Sequence, residues 1–281
     1  MSKTQNTNIG WINGYWGPIH QLTVPITDRG LTLGDGIFET ILIYQGKVQL
    51  LTKHLDRWHK SASILNMTSP PSIVWLQPLI DEAIERNSLT KGNGSLRINW
   101  SRGDNHNRGL AIPKSRGQDT SYRFWLEVNP GEPCFDPVST MISRYEQRNA
   151  NSKQSQCKAF SYGQSISARH EAKIAGYDEA LLLSTNGELC CSTSANILVK
   201  RNNEWLTPRI ETGCLPGVMR QQGIDAGFIH EAKINEIPNA QDEWLLINSL
   251  SCRAISKCNT QSLKLSTDSK ELWFSLLKIN M

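Results

Sequence analysis

Lys158 stands in Gln156-Cys-Lys-Ala-Phe-Ser-Tyr162, among small and apolar side chains, just before a helix predicted to end in Glu171-Ala-Lys-Ile-Ala-Gly-Tyr-Asp-Glu-Ala180. Most lysines are solvated surface groups. A partly desolvated one gives up its proton more readily, and the neutral amine is the form that makes an imine with a carbonyl. Arg57, in His54-Leu-Asp-Arg57, offers a planar fork of donors suited to a phosphate, although an exposed helix arginine fits the same residues. In Leu215-Pro-Gly-Val-Met-Arg220, Gly217, Val218 and Met219 at a helix start would turn free N–H groups and the helix dipole toward an anion. In isolation the same residues make an ordinary Pro-Gly turn.

The elements that must hold these groups are legible in outline. Trp11-Ile-Asn-Gly and Gln21-Leu-Thr-Val-Pro read as two strands with a turn between them. Phe38–Tyr44 and Lys47–Leu51 read as a hairpin closed by Gln45-Gly46. Leu55, Trp58, Ala62 and Leu65 recur at helical spacing over 54–65, and a second helix is predicted over 72–87. Strands at 95–101 and 121–128 follow. Asn129-Pro-Gly-Glu-Pro-Cys-Phe-Asp-Pro137 is rich in Pro and Gly and reads as a linker. Beyond it, 164–175 and 218–226 read as helices, and 179–184, 195–200 and 244–250 as strands. The fold class expected is mixed α/β, with a smaller N-terminal domain over 1–128, a linker over 129–137 and a larger C-terminal domain over 138–281.

Composition narrows the class of function. The 281 residues are 38% hydrophobic and 20% charged, ordinary for a soluble globular chain. The net charge of +4 is scattered, too weak to argue for nucleic acid, and compatible with an anionic small molecule. No apolar run approaches the roughly 20 residues that cross a bilayer, and the start MSKTQNTNIG has no apolar core of a secretion signal. Seven cysteines at irregular spacing read as free thiols in a reducing, cytoplasmic setting. Adjacent Cys190 and Cys191 are not half of a CxxC zinc site, so no metal is expected.

Four segments read together carry a resemblance. Asp28-Arg-Gly-Leu-Thr-Leu-Gly-Asp-Gly-Ile-Phe-Glu-Thr40 resembles the N-terminal signature of fold-type-IV pyridoxal-phosphate (PLP) enzymes, the branched-chain and D-amino-acid aminotransferases and the aminodeoxychorismate lyases. His54–Arg57 is similar to their helix with the phosphate-binding arginine, Lys158–Ala180 to their Schiff-base segment, and Leu215–Arg220 to the turn that meets the cofactor phosphate. They occur in the family's order and span about residues 10 to 256. The resemblance implies a two-domain architecture with the cofactor between the domains, a homodimer, and PLP on Lys158. It further implies that Ser249 binds the phosphate, that Tyr162 meets the phenolic oxygen, and that Phe38 and Arg108 face the substrate.

One position departs from the family. Anchored on Ser194-Ala-Asn196, the glutamate that pairs with the pyridine nitrogen is replaced by Cys191, and Glu188 lies three residues too early to serve. A neutral thiol cannot hold that nitrogen protonated through an ion pair, so a weaker electron sink is expected. Asn248-Ser-Leu250, and Ser101-Arg-Gly103 followed by Arg108-Gly109, resemble the lyase forms. The sequence therefore leads to the expectation of a 4-amino-4-deoxychorismate lyase, releasing pyruvate and forming 4-aminobenzoate for folate synthesis. The alternatives are an aminotransferase of the same family, or a non-catalytic or degenerate PLP-binding member.

Overall fold

A computed structural model describes residues 8–104, 109–112, 122–234, 238–239 and 241–278, and in it the chain divides into two units. The first runs to Glu132 and includes Lys158–Ser161; the second holds Pro133–Cys157 and the chain from Tyr162 onward.

The first unit is built on a six-stranded antiparallel sheet in the order β2-β1-β6-β5-β3-β4. Its strands are β1 (Ile9–Ile12), β2 (Tyr15–Pro18), β3 (Gly36–Tyr44), β4 (Lys47–Val48), β5 (Gly94–Ser101) and β6 (Arg123–Pro130). The helices are α1 (Arg29–Leu33), α2 (Leu51–Ile64) and α3 (Ile73–Arg86). Asn13 and Gly14 both take positive φ, so β1 folds straight back into β2 with Ile12 opposite Tyr15. That tight turn overrides the partner expected at 21–25. Gln45 and Gly46 repeat the device between β3 and β4.

Period-two alternation then divides the sheet. Ile37, Ile41, Ile43, Leu96, Ile98, Phe124, Leu126 and Val128 form one apolar face, with Trp58 and Ala62 of α2 and Leu76 and Ile80 of α3 in the same core. Phe38, Asn99 and Trp125 are cross-strand partners, as are Thr40, Arg97 and Glu127, so they share the opposite face.

Two boundaries differ from the sequence reading. Strand β6 runs on to Pro130, opposite Gly94, where a proline at a strand end loses no ladder bond. Lys158, assigned from sequence to the C-terminal domain, groups with the first unit for a backbone reason. The Phe38 N–H donates to the Lys158 carbonyl and the Phe160 N–H to the Gly36 carbonyl, each at 2.9 Å, bridging Ile37 with Ala159. Phe160 then packs on Phe38 and Trp125. A Cβ on Gly36 would overlap the Phe160 ring, so glycine is required at that close approach.

The second unit carries a nine-stranded sheet in the order β12-β11-β10-β13-β14-β7-β8-β9, with β15 on β14. Its strands are β7 (Val138–Arg148), β8 (Glu179–Ser184), β9 (Leu189–Ser192), β10 (Asn196–Arg201), β11 (Glu204–Pro208), β12 (Ile229–Ala232), β13 (Glu243–Asn248), β14 (Ser251–Cys258) and β15 (Gln261–Ser262). Helix α4 (Gly163–Ile174) joins parallel β7 and β8, α5 (Val218–Asp225) joins parallel β11 and β12, and α6 (Ser269–Leu277) packs on β14. Ile197, Val199, Trp244, Leu246 and Ile255 form one core of this unit. Met141, Ala168, Ala172, Leu182, Cys190, Cys191 and Cys214 form another. Among the described residues no helix is long and apolar enough to cross a membrane.

Candidate active site

In the first unit the N-terminal signature folds into a scaffold. Buried Asp28 caps α1 through the Gly30 N–H at 2.7 Å, accepts the Ser101 hydroxyl at 2.5 Å and pairs with Arg123. Asp35 receives Arg29 Nε and Arg102 Nε, each at 2.8 Å. Arg102 also donates to the Leu65 and Asn66 carbonyls, so its guanidinium is a structural clamp. Arg108 lies outside the described residues.

Beside this scaffold, Lys158 Nζ lies 4.5 Å from the centroid of the Phe38 ring, and the Arg97 guanidinium lies 3.6 Å from it. Phe38 is thus in contact with two basic side chains. Arg97 was missed. The signal for it is the polar alternation Ser95, Arg97, Asn99, Ser101 along β5, which sets a cation on the face of Phe38.

Arg57 is held on the other face. Its Nε and Nη2 donate to Glu39 Oε1 and Oε2 at 2.8 and 2.5 Å, and His54 Nδ1 lies 2.7 Å from Oε2. Glu39 is wholly buried. Burial pushes its carboxyl up, but the Arg57 charge and the hydrogen bonds from His54 and Arg57 outweigh it and hold the pKa at about 2. Burial drives His54 below the ordinary imidazole range, and the Arg57 and Lys158 charges act the same way against the Glu39 hydrogen bond. A neutral ring facing a carboxylate carries its proton on Nδ1, so His54 donates. The sequence reading gave neither Glu39 nor His54 a role. The clue was a carboxylate at an inward position of β3 between Ile37 and Ile41, which must find buried partners.

The second unit carries a candidate anion cradle of its own. Helix α5 opens on Gly217, and the N–H groups of its first turn have no acceptor inside the helix. Asn196 Nδ2 donates to the Leu215 carbonyl at 2.9 Å, and a Cβ on Gly217 would collide with Asn196 Oδ1. The turn is therefore shaped by a bare glycine against a fixed amide. Val218 and Met219 are buried side chains, so their backbone is what they can offer a ligand. Asn248 Oδ1 accepts the Leu250 N–H and the Ser251 hydroxyl at 2.9 and 3.0 Å, and Asn248 Nδ2 reaches the Ser194 carbonyl at 3.3 Å. This pins the turn that carries Ser249, at the end of a strand on which α5 packs. Tyr162 is half-buried at the residue before α4.

Cys191 lies on β9 opposite Leu182, while Leu189 lies opposite Leu183. Cys190 is thus the extra residue of a β-bulge, which brings adjacent thiols into one apolar cluster. The Cys190 S–H and then the Arg148 charge favour the Cys191 thiolate, against burial and the Glu179 charge, and lower its pKa. Glu179 itself is buried against Arg169 and accepts the Thr193 hydroxyl at 2.6 Å. Among the described residues no cluster of three or more His, Cys, Asp or Glu could hold a metal.

Within the first unit, an arginine with a buried carboxylate behind it and a lysine in an aromatic setting are groups suited to a phosphate and to an aldehyde; within the second, a glycine-lined helix start is suited to an anion. The comparisons agree. The model of the class IV aminotransferase family matches residues 36–258. A putative branched-chain-amino-acid aminotransferase of Methanocaldococcus jannaschii is 29% identical over 75% of this chain and 71% of its own length. The structure of the Escherichia coli branched-chain amino acid aminotransferase superposes with a TM-score of 0.84 at 19% identity, over 97% of this chain and 94% of that one. A putative 4-amino-4-deoxychorismate lyase from Legionella pneumophila gives 0.81 at 24%, over 92% and 96%. The chain belongs to the class IV aminotransferase family, a PLP-dependent class with this mixed α/β fold.

Proposed function

We propose that the chain is a PLP-dependent aminotransferase that moves the amino group of a small amino acid to a 2-oxo acid. The observation that carries this reading is the pair of cations on one ring, Lys158 and Arg97 over Phe38. An amine-handling group beside a fixed guanidinium suits a substrate that bears both an amino group and a carboxylate. The relative's name supports transamination over the lyase reaction expected from sequence.

PLP, once bound, supplies an electron sink for the bonds at the substrate's α-carbon. In this reading Arg57, the first-turn amides of α5 and Ser249 hold its phosphate, Tyr162 its phenolic oxygen, and Cys191 faces its ring nitrogen. Lys158 Nζ would hold the cofactor at rest; once the substrate's amine had displaced it, the freed Nζ would take the proton from the α-carbon and deliver it to the cofactor side, so that hydrolysis leaves the amino group with the cofactor and releases the 2-oxo acid. Arg97 orients the substrate carboxylate so that the α-carbon faces Nζ.

The lyase remains as a second reading because of Cys191. A thiol carries charge only when ionised, whereas the carboxylate it replaces carries charge throughout, and aromatisation of the product tolerates a weaker sink. Holoenzyme assays separate the two. An aminotransferase consumes amino acid only with a 2-oxo acid and shows ping-pong kinetics. Pyruvate release from enzymatically generated 4-amino-4-deoxychorismate, with no acceptor, would overturn transamination in favour of the lyase. A protein that binds PLP and is silent in both assays would overturn both.

Cys191→Glu bears on the same choice. If residue 191 faces the ring nitrogen, the variant should raise transamination more than pyruvate release, because a carboxylate restores the ion pair. If it points only into the core around Met141 and Leu182, the buried carboxylate finds no partner, and the melting temperature should fall with no gain in transamination. Measuring both rates and the melting temperature distinguishes the outcomes.

A further inference from the structure

We propose that Glu39 is a positioning residue for cofactor phosphate recognition, acting through Arg57 and held in place by His54. The inference rests on the reading of Arg57 as a phosphate ligand and goes beyond it, to what fixes that ligand's direction. An arginine on a helix has four rotatable bonds, and binding a phosphate with it ordinarily means freezing them. Here that ordering is built into the fold. Glu39 engages the Nε and Nη2 edge of Arg57 at both carboxylate oxygens, which fixes the plane of the guanidinium. It also turns the opposite edge toward whatever anion Arg57 meets.

His54 lies one helical turn before Arg57 on α2, and its Nδ1–H binds the carboxylate oxygen that Arg57 Nη2 also contacts. Glu39 therefore cannot swing with the arginine. The surroundings explain why a carboxylate is tolerated at this inward strand position. Desolvating a charge costs several kcal/mol unless partners compensate, and a cation and a ring N–H do so here. The carboxylate also has a cost for phosphate binding, since it cancels part of the Arg57 charge. Direction is gained at the expense of net charge, so the device favours a ligand whose oxygens sit at one fixed place.

The test compares PLP with pyridoxal, which lacks the phosphate, by titrating apoenzyme and following absorbance and tryptophan fluorescence. In Glu39→Gln the amide keeps the shape but cannot accept two charge-assisted bonds. PLP affinity should fall by about tenfold or more, the scale of a hydrogen bond to a charged group, while pyridoxal affinity stays within about twofold of the native protein. Glu39→Asp keeps the charge but cannot span both donors, and should fall between the two. If Glu39→Gln does not fold, Glu39→Asp alone decides, since a loss confined to PLP still supports the role. Equal losses for PLP and pyridoxal, or a lowered melting temperature with unchanged preference for PLP, would show that Glu39 only stabilises the fold.

Arg57→Ala separates this inference from the reading beneath it. If Arg57→Ala leaves the preference for PLP intact, Arg57 does not bind the phosphate, and both fall. If Arg57→Ala loses the preference and Glu39→Gln keeps it, only the positioning role is overturned. In the double variant the two losses should not add, because both remove one interaction.

Discussion

Trp58→Ala is expected to destabilise the protein by about 3–5 kcal/mol, the range for truncating a buried tryptophan. The side chain is wholly buried in the core between α2 and the sheet, edge-on to Phe124 with ring centroids 6.2 Å apart. Alanine would leave a cavity that the packed Leu55, Ala62 and sheet residues fill only in part. The indole N–H has no hydrogen-bond partner among the described residues, so Trp58→Phe removes an unsatisfied donor along with some volume and should cost markedly less. Helix α2 also carries His54 and Arg57, and loosening it should weaken cofactor binding. Chemical denaturation of the apoenzyme measures the effect, and a loss below about 1 kcal/mol for Trp58→Ala would contradict this packing account.

Arg57→Ala should weaken PLP binding by about 1.5–3 kcal/mol, so that activity requires excess cofactor. The structure adds a second consequence. Without Arg57, Glu39 stays buried with His54 as its remaining side-chain partner among the described residues, and its carboxyl loses the charge that held it at about 2. The sign follows from the lowered pKa: the stabilisation is present above the ordinary carboxylate range and is lost as pH falls toward that depressed value. Arg57→Ala should therefore lower the melting temperature at neutral pH and flatten its decline in acid. Unchanged PLP affinity, measured by titration, would show that Arg57 meets no phosphate.

Much of this was legible in the sequence because local signals and the fold agree. The spacing of Leu55, Trp58 and Ala62 gives α2, and the alternation from Phe38 to Tyr44 gives β3. The expectations for 218–226 and 179–184 meet α5 and β8 within a residue. Strand β7 was not read because Ser139, Thr140, Ser143 and Arg144 break its apolar pattern, and its pairing with β8 and β14 is long-range. At the candidate site, the residues nominated from sequence, such as Lys158 and Arg57, are ones whose own chemistry suggests a role without reference to a partner. Those that act through partners were not nominated. Glu39 gains its meaning from His54 and Arg57 on another element, and Arg97 from a ring on the neighbouring strand. The β-bulge at Cys190 depends on the register of β8 against β9, which one strand's sequence does not fix.

If Lys158 carries the cofactor, as proposed, reductive trapping will fix it there. Holoenzyme is treated with borohydride, digested, and the peptides are mapped by mass spectrometry. A reduced pyridoxyl-phosphate adduct is expected on the peptide containing Lys158, and its loss in Lys158→Ala. An adduct on Lys153 or Lys173 instead, with Lys158 unmodified, would contradict it.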